Sequence, residues 1–221
     1  MSLVLAFDCA VTGLSVAVAR DGTVLASDRA EGRDQAATLI PAIATTLEKA
    51  GVARSDLGLI AVTIGPGSFT GVRVGLAAAR GLAVALGVPL AGITTTAALL
   101  AQAEAQERLA VAAIDTHLGD WFCAIREADE APFLSSTEAL AARLQGRPCR
   151  IIGPQADALA PRLGDAKAQP ALPDAAIIAR LALAGGVEDW RRRNRVDGLP
   201  RPLYLRGVNI TLPDGARRTV E

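Results

Sequence analysis

The chain has 221 residues, and 23 Lys and Arg balance 23 Asp and Glu, so its formal net charge at pH 7 is zero. This length suits one large domain or two small lobes, and a neutral chain lacks the basic field that drives non-specific binding to nucleic acid. Aromatic residues make up only 3% of the chain, too few for a sheet that stacks bases.

The chain opens with a predicted antiparallel meander. Residues 3–8 are apolar up to Asp8, residues 14–19 resume a strand pattern, and a turn leads to a further strand at residues 23–27. Strands and helices alternate after this point, which indicates an α/β protein. Because the opening strands are antiparallel, the sheet is expected to be mixed rather than purely parallel.

The first predicted helix covers residues 35–50. Apolar side chains recur there at helical spacing, and Gly51 ends the helix. Residues 57–64 then form an apolar run that is typical of a central strand buried on both faces. The apolar helix positions are Leu39, Ile40, Ile43, Leu47 and Ala50.

The turn GPGSFTG at residues 65–71 has two interpretations. It follows a buried strand, and Ser68 or Thr70 can cap a helix that extends to Leu86, whose free N–H groups would accept a phosphate. No lysine follows as in a phosphate loop, and the glycine spacing departs from the dinucleotide fingerprint, so spacing alone favours a structural turn. The phosphate hypothesis rests on Gly65, Gly67, Ser68, Thr70 and Gly71, with Asp8 at the end of the first strand.

The helix after this turn carries small residues on one face. Gly71, Gly75 and Ala79 lie four residues apart, so another backbone can approach closely there. Glycine inside a helix costs about 0.5–1 kcal/mol relative to alanine, and two of them indicate a packing reason. The pattern slightly favours the chain's own sheet as the neighbour and leaves another protein open.

Residues 90–93 and 94–105 predict a strand and a helix that close a first lobe near residue 105. Residues 109–115 and 121–126 then predict a hairpin that opens a second lobe. His117 is the only histidine and lies between these two strands, where a turn is expected. A lone histidine supplies neither a two-histidine metal site nor a serine triad by itself.

The sequence predicts a cytosolic protein. Asp8 interrupts the apolar stretch that a signal peptide needs. Residues 74–93 are long enough for a membrane span, but Arg80 and the Gly-Val-Pro break at residues 87–89 favour a buried helix followed by a strand. Three scattered cysteines without C-x-x-C spacing indicate neither a disulfide framework nor a thiolate metal site.

The run RRRNR at residues 191–195 is the densest positive patch. Most runs of this kind are solvated helix faces. Contact with RNA phosphates is the alternative.

Four segments together resemble the TsaB (YeaZ) family. The similarity is dense over residues 1–105, thin across 106–190 and visible again near the C-terminus, and GPGSFTGVR is its specific part. The four segments are LVLAFD at residues 3–8, residues 35–43 with their Leu-Ile-Pro, IAVTIGPGSFTGVRVG at residues 60–75 and PLYLR at residues 202–206.

This resemblance implies a two-lobed fold of the actin-like, Hsp70-like and sugar-kinase class, in which each lobe is a mixed sheet flanked by helices. The first lobe would cover residues 1–105, and a smaller, degenerate second lobe residues 106–221, whose last segment is a candidate to pack back on the first. The related catalytic subunit TsaD binds a metal through an H-x-x-x-H motif. That motif falls at about Thr95 and Leu99, which do not ligate like imidazole, so no metal centre and no cofactor are expected.

The resemblance further implies a non-catalytic subunit of the machinery that makes threonylcarbamoyladenosine in tRNA. It would bind a TsaD-like catalytic subunit, act with a TsaE-like ATPase and meet tRNA indirectly, and it is a candidate homodimer when alone. Ile43→Asp or Gly75→Leu is expected to weaken pairing while the monomer stays folded. The helical surface implied for pairing consists of Leu39, Ile40, Ile43, Leu47, Val72, Gly75 and Ala79.

The chain also departs from the family pattern at three places. Cys9-Ala10-Val11 follows the first aspartate, where relatives more often have small hydroxyl residues, and this argues against independent ATP binding. Gln35 replaces a frequent histidine, and Asp115-Thr116-His117 replaces Asp-Ala-Arg, with consequences that the sequence leaves open.

Two other functions are weighed against the accessory role. One is a small-molecule kinase or ATPase of the same fold, in which Asp8 would hold Mg²⁺ or the attacking water and the glycine turn would touch phosphate. The other, a peptidase, ranks last because the sequence offers no histidine-assisted nucleophile and Ser68 has no base.

Overall fold

The structure is a computed structural model that describes residues 2–32, 34–103, 108–127 and 131–206, together with the backbone of residues 208–211 and 217–220. Its first sheet has the strand order β3-β2-β1-β4-β5. The first three strands are antiparallel neighbours, whereas β1, β4 and β5 run parallel. The mixed sheet predicted from the opening meander is therefore present. Its strands are β1 (Leu3–Asp8), β2 (Leu14–Arg20), β3 (Thr23–Ala30), β4 (Leu59–Thr63) and β5 (Leu90–Ile93).

The second sheet repeats this arrangement. Its order, β8-β7-β6-β9-β10, again places an antiparallel meander beside two parallel strands. The two lobes therefore share one strand topology. The strands are β6 (Leu109–Asp115), β7 (Trp121–Ile125), β8 (Phe133–Ser135), β9 (Cys149–Gly153) and β10 (Ala166–Pro170), and the lobe also contains α4 (Thr137–Leu144) and α5 (Ala156–Leu159).

Helices cover both faces of the first sheet. On one face lie α1 (Gln35–Lys49) and α2 (Phe69–Leu86). On the other lies α6 (Ala175–Ala184), which follows the second sheet in sequence but packs on the first. Successive residues of β1 point to opposite faces, so Leu5 and Phe7 join one core while Val4 and Ala6 join the other.

The structure also describes four further segments. The short helix α3 (Thr95–Leu100) contacts both β6 and β7 and so links the lobes, and α7 (Val187–Val196) lies against β5. Residues 199–206 then run along the first lobe, where Leu203 N donates to Ile64 O at 2.8 Å. The C-terminal hairpin consists of β11 (Val208–Thr211) and β12 (Arg217–Val220).

Candidate functional site

The glycine turn at residues 65–71 packs directly against the turn that follows β1. The backbone N–H of Ser68 donates to Ala10 O at 2.7 Å. Ser68 Oγ in turn accepts a hydrogen bond from Gly71 N at 3.2 Å, so Ser68 rather than Thr70 caps α2. Two backbone donors that an anion would use are thus already occupied by the chain.

Close backbone approach explains the glycines of this turn. A Cβ at Gly71 would lie 1.9 Å from Cys9 O, and one at Gly67 would lie 2.1 Å from Ala10 O. Gly65 O accepts from Thr95 N at 2.8 Å, which fixes the start of α3. Carbonyl oxygens therefore face the turn where the phosphate hypothesis places an anion, and the structural interpretation accounts for these residues. Thr70 is exposed.

Gln35 holds the β1–β2 turn in place. Its side-chain Nε2 donates to the carbonyl oxygens of Val11 at 3.2 Å and Gly13 at 3.0 Å, with a longer contact of 3.4 Å to Cys9 O. The glutamine that replaces the family's frequent histidine at this position therefore ties the N-terminus of α1 to the β1–β2 turn.

Asp8 is a buried carboxylate at the end of β1. Its Oδ1 accepts from Thr63 Oγ1 at 2.5 Å and from Ala10 N at 3.0 Å. Burial raises the pKa of Asp8 from its ordinary value of 3.8 to about 6, and the hydrogen bonds from Thr63 and Ala10 and the charge of Arg29 partly oppose this shift. A buried carboxyl with a raised pKa destabilises the folded chain at neutral pH relative to a neutral group.

We expect Asp8→Asn to stabilise the protein at pH 7.5 by about 1–3 kcal/mol, because a shift of about two pKa units corresponds to about 3 kcal/mol. The folded state binds the Asp8 proton more tightly than the unfolded chain. The contribution of Asp8 to stability is therefore greatest below the ordinary pKa of 3.8 and is lost as the pH rises to about 6. Urea unfolding at pH 4.5 and pH 7.5 measures this, and equal differences between variant and wild type at both pH values would contradict it.

The two lobes enclose a cleft of about 300 Å³. Residues 10–12 and the start of α2 line it from the first lobe, and the β6–β7 turn with Gln155 lines it from the second. Arg206 on the C-terminal segment pairs with Asp120 of that turn and bridges the lobes. His117 lies at the tip of the turn with its side chain largely exposed, 3.5 Å from Asp115.

Most of the helical pairing surface predicted from the sequence is not exposed, and this part of the prediction is corrected. Six of its residues pack inside the first lobe, and Ile43 and Leu39 belong to the core formed with β1 and β4. A Cβ at Gly75 would lie 3.3 Å from Val62 Cγ2, so Gly75→Leu would disturb the chain's own packing. Ile43→Asp would likewise place a charge in the core. The six buried residues are Leu39, Ile43, Leu47, Val72, Gly75 and Ala79.

The outward sides of α1 and α2 form a different apolar surface. Ile40 is 53% exposed and Val84 is 72% exposed, and the two helices contact each other. Small residues are also exposed on both helices. We call this surface the helix-pair face, and it consists of Ala36, Ile40, Ala44, Ala77, Gly81 and Val84.

α2 carries apolar residues on its exposed side as well as on its buried side. By length and composition alone this helix could cross a membrane, with a mean hydropathy of 1.4 over 18 residues. One such helix is weak evidence, because the core helix of a soluble protein passes the same test. Only 33% of the window is buried inside the chain, and Ala77, Gly81 and Val84 are among its exposed residues.

The cysteines are poorly suited to act as nucleophiles, and the residues at the H-x-x-x-H position, Thr95 and Leu99, are poorly suited to bind a metal ion. Burial raises the pKa of the Cys9 and Cys123 thiols to about 12, so both are protonated at neutral pH. Thr95 and Leu99 are buried on α3. Within the part of the chain that the structure describes, no three His, Cys, Asp or Glu side chains cluster closely enough to hold a metal ion.

Comparisons with known proteins find similarity to proteins that are named for tRNA modification. The family model described as "TsaD: tRNA N6-adenosine threonylcarbamoyltransferase" matches residues 29–124. The chain is 36% identical to the tRNA threonylcarbamoyladenosine biosynthesis protein TsaB of Escherichia coli over 132 aligned residues. The alignment covers 58% of this chain and 56% of that protein. The chain spans about half the length of the curated TsaB relatives it matches.

Solved structures extend the similarity over most of the chain. One described as an uncharacterized protein with similarity to peptidase YEAZ, from Pseudomonas aeruginosa, has a TM-score of 0.76 at 28% identity and covers 93% of this chain and 100% of its own. Component A of the (R)-2-hydroxyglutaryl-CoA dehydratase of Acidaminococcus fermentans has a TM-score of 0.52 at 10% identity, over 83% of this chain and 98% of its own, and shows the fold alone. The predicted two-lobed actin-like fold is confirmed.

Proposed function

We propose that this chain, which is similar in sequence and structure to TsaB (YeaZ) proteins, is a member of that family and a non-catalytic subunit in the synthesis of threonylcarbamoyladenosine at position 37 of tRNA. In this role it binds and activates a TsaD-like catalytic subunit. It works in the cytoplasm together with a TsaE-like ATPase, and it meets tRNA through the assembled complex. The neutral net charge supports this indirect route to tRNA.

The observation that carries the proposal is the exposed helix-pair face. Burying a Val or Ile side chain that would otherwise be exposed contributes about 1.5–3 kcal/mol, so Ile40 and Val84 are suited to a contact with another protein. The small residues around them let the backbones of two helices approach closely. A face of this kind suits packing of helix against helix.

The similarity to TsaD supports a partner with the same fold. The TsaD family model matches residues 29–124 and therefore includes both α1 and α2. A partner built in the same way presents an equivalent pair of helices, and two such pairs pack about a pseudo-twofold axis. The same geometry permits a homodimer when the chain is alone, in which TsaD replaces the second copy.

The chemistry of the described residues supports an accessory role. Carbonyl groups of the β1–β2 turn lie against the glycine turn, and the resemblance places Thr95 and Leu99 at about the position of the metal-binding histidines of TsaD. The protonated thiols of Cys9 and Cys123 are poor nucleophiles. Catalysis is therefore assigned to the partner.

The test is the tRNA of a strain that lacks this gene. We expect threonylcarbamoyladenosine in bulk tRNA, measured by mass spectrometry, to fall below a tenth of the wild-type level. A plasmid copy of the wild-type gene restores it, while a copy with Val84→Asp produces a folded protein and does not. Unchanged modification in the deletion strain would overturn the proposal.

The inter-lobe cleft supports one alternative, an ATP-binding kinase or ATPase of the same fold. Its volume of about 300 Å³ is at the lower limit of ligand pockets, and the buried Asp8 accepts a hydrogen bond from Ala10 N, whose residue lines the cleft. Calorimetry of the isolated chain with MgATP separates the two functions. We expect no binding up to about 1 mM ATP, and saturable binding below that concentration would favour the alternative.

A further inference from the structure

The arginine run at residues 191–195 lies on α7, and its members have different surroundings. Arg192 pairs with Asp189 at 2.7 Å. The guanidinium of Arg193 lies over the ring of Trp190, with Cζ 4.7 Å from the ring centre. These two arginines interact with residues of their own helix, and neither lines the groove between α2 and α7.

Two other arginines of the run face a groove. This open groove of about 490 Å³ lies between the C-terminal part of α2 and α7. Arg191 and Arg195 line one side, and Val84, Val88 and Leu199 contribute apolar surface. None of its lining residues is acidic. Arg191 Nε lies 3.5 Å from Glu188, whereas no carboxylate among the described residues lies within 4 Å of Arg195.

The groove is held open by a side chain that fixes α7 to the sheet. Asn194 Oδ1 accepts from Leu90 N at 2.7 Å, and Asn194 Nδ2 donates to Leu90 O at 3.0 Å. Asn194 thus bonds the edge strand β5 in the way a neighbouring strand would. Because this contact fixes the spacing between α7 and the sheet, the groove is formed before any partner binds.

The lining favours a polypeptide over RNA. An apolar floor beside two guanidinium groups suits a segment that carries an apolar side chain next to a carboxylate, since arginine pairs strongly with carboxylates. No aromatic ring lines the groove to stack a base. Arg192 is paired with an acidic residue of the same helix, which reduces the charge available to a phosphate backbone.

We propose that this groove extends the helix-pair face and binds an acidic, apolar segment of the TsaD-like subunit. This inference rests on the proposed function. Val84 belongs to both surfaces, so a partner that covers α1 and α2 reaches the groove without a break. Arg195 supplies a positive charge that no carboxylate of the described residues pairs with, and Val84 and Val88 supply the apolar contact.

The test compares two charge reversals on α7 by calorimetric titration with the purified TsaD-like protein. We expect Arg195→Glu to weaken pairing about tenfold or more at 50 mM salt, and the loss to shrink at 500 mM salt. Arg195→Lys keeps the charge and is expected to retain most of the affinity. Arg192→Glu is the matched control, because this exposed residue is on the same helix but outside the groove, and its affinity is expected to stay within about twofold. Thermal unfolding of each variant shows that the chain is folded.

The outcomes distinguish a role of the groove in pairing from a contact with RNA and from a failure of the proposed function. Equal affinities for wild type and Arg195→Glu, or equal losses of affinity for both charge reversals, overturn the proposed binding of a TsaD segment in the groove. Either result leaves the proposed function intact. Normal pairing combined with weaker retention of tRNA by the Arg195→Glu complex overturns it in favour of an RNA contact. Failure of the wild-type chain to pair at all overturns the proposed function and the groove with it.

Discussion

The double variant Ile40→Asp/Val84→Asp is expected to pair with the TsaD-like subunit at least about 100-fold more weakly than the wild type. Each substitution removes about 1.5–3 kcal/mol of apolar burial, and each leaves a carboxylate facing the partner's apolar surface. Since both side chains are more than half exposed in the single chain, the monomer is expected to keep its stability within about 1 kcal/mol. Calorimetric titration and urea unfolding measure the two quantities.

A control for added charge is Leu134→Asp, which places one of the two added negative charges at an exposed leucine of the second lobe. Its affinity for the TsaD-like subunit is expected to equal that of the wild type. A double variant that still pairs normally would contradict the assignment of the helix-pair face. An equal loss with Leu134→Asp would show that added charge, rather than position, weakens pairing.

Gly71→Ala is expected to destabilise the isolated chain by about 3 kcal/mol or more. The new Cβ would lie 1.9 Å from the carbonyl oxygen of Cys9, so either α2 or the β1–β2 turn must shift, and backbone overlap in a packed core is costly. Urea unfolding followed by circular dichroism measures the change.

The matched control is Gly81→Ala on the same helix. A Cβ at Gly81 meets no atom within 4 Å, so this change is expected to stabilise the chain by about 0.5–1 kcal/mol, the helix preference of alanine over glycine. If both variants unfold at the same urea concentration, the close approach at Gly71 does not explain that glycine.

The first lobe is largely predictable from local patterns. The apolar runs at β1 and β4 and the helical spacing of α1 place these elements within about two residues, because a strand covered on both faces is continuously apolar. β3 extends beyond its predicted end to Ala30, since the edge strand is exposed and carries the polar residues Asp28 and Arg29. α3 ends at Leu100 rather than residue 105, and residues 104–107 lie outside the described part.

Much of the second half is not predictable in this way. The edge strand β10 (Ala166–Pro170) is polar or half-buried and lacks an apolar run. The return of α6 to the first sheet depends on long-range contacts, such as Ala175 N donating to Ser15 Oγ at 3.1 Å. No local pattern contains such a contact. The resemblance makes the last segment a candidate to pack back on the first lobe, and the structure shows which elements lie there: α6, α7 and residues 199–206.

The pairing surface shows why an apolar stripe is ambiguous. Helical spacing identifies Leu39, Ile43 and Leu47 as one face, and a stripe of this kind normally faces the core, as it does here. The exposed pair Ile40 and Val84 lies off this stripe on two different helices. Ile40 already belongs to the surface that the resemblance implies, and the signal that could have found Val84 is the apolar composition of α2 on the side that does not face the sheet.

The central claim is that this chain activates a TsaD-like enzyme without turnover of its own, and reconstitution with purified proteins tests it most directly. Unmodified tRNA, the threonylcarbamoyl donor, the TsaD-like enzyme and the TsaE-like ATPase are incubated with and without this chain, and modified adenosine is measured. We predict modification only when both the chain and the TsaD-like enzyme are present. Modification by this chain without the TsaD-like enzyme would contradict the account. Equal modification when this chain is left out would contradict it as well.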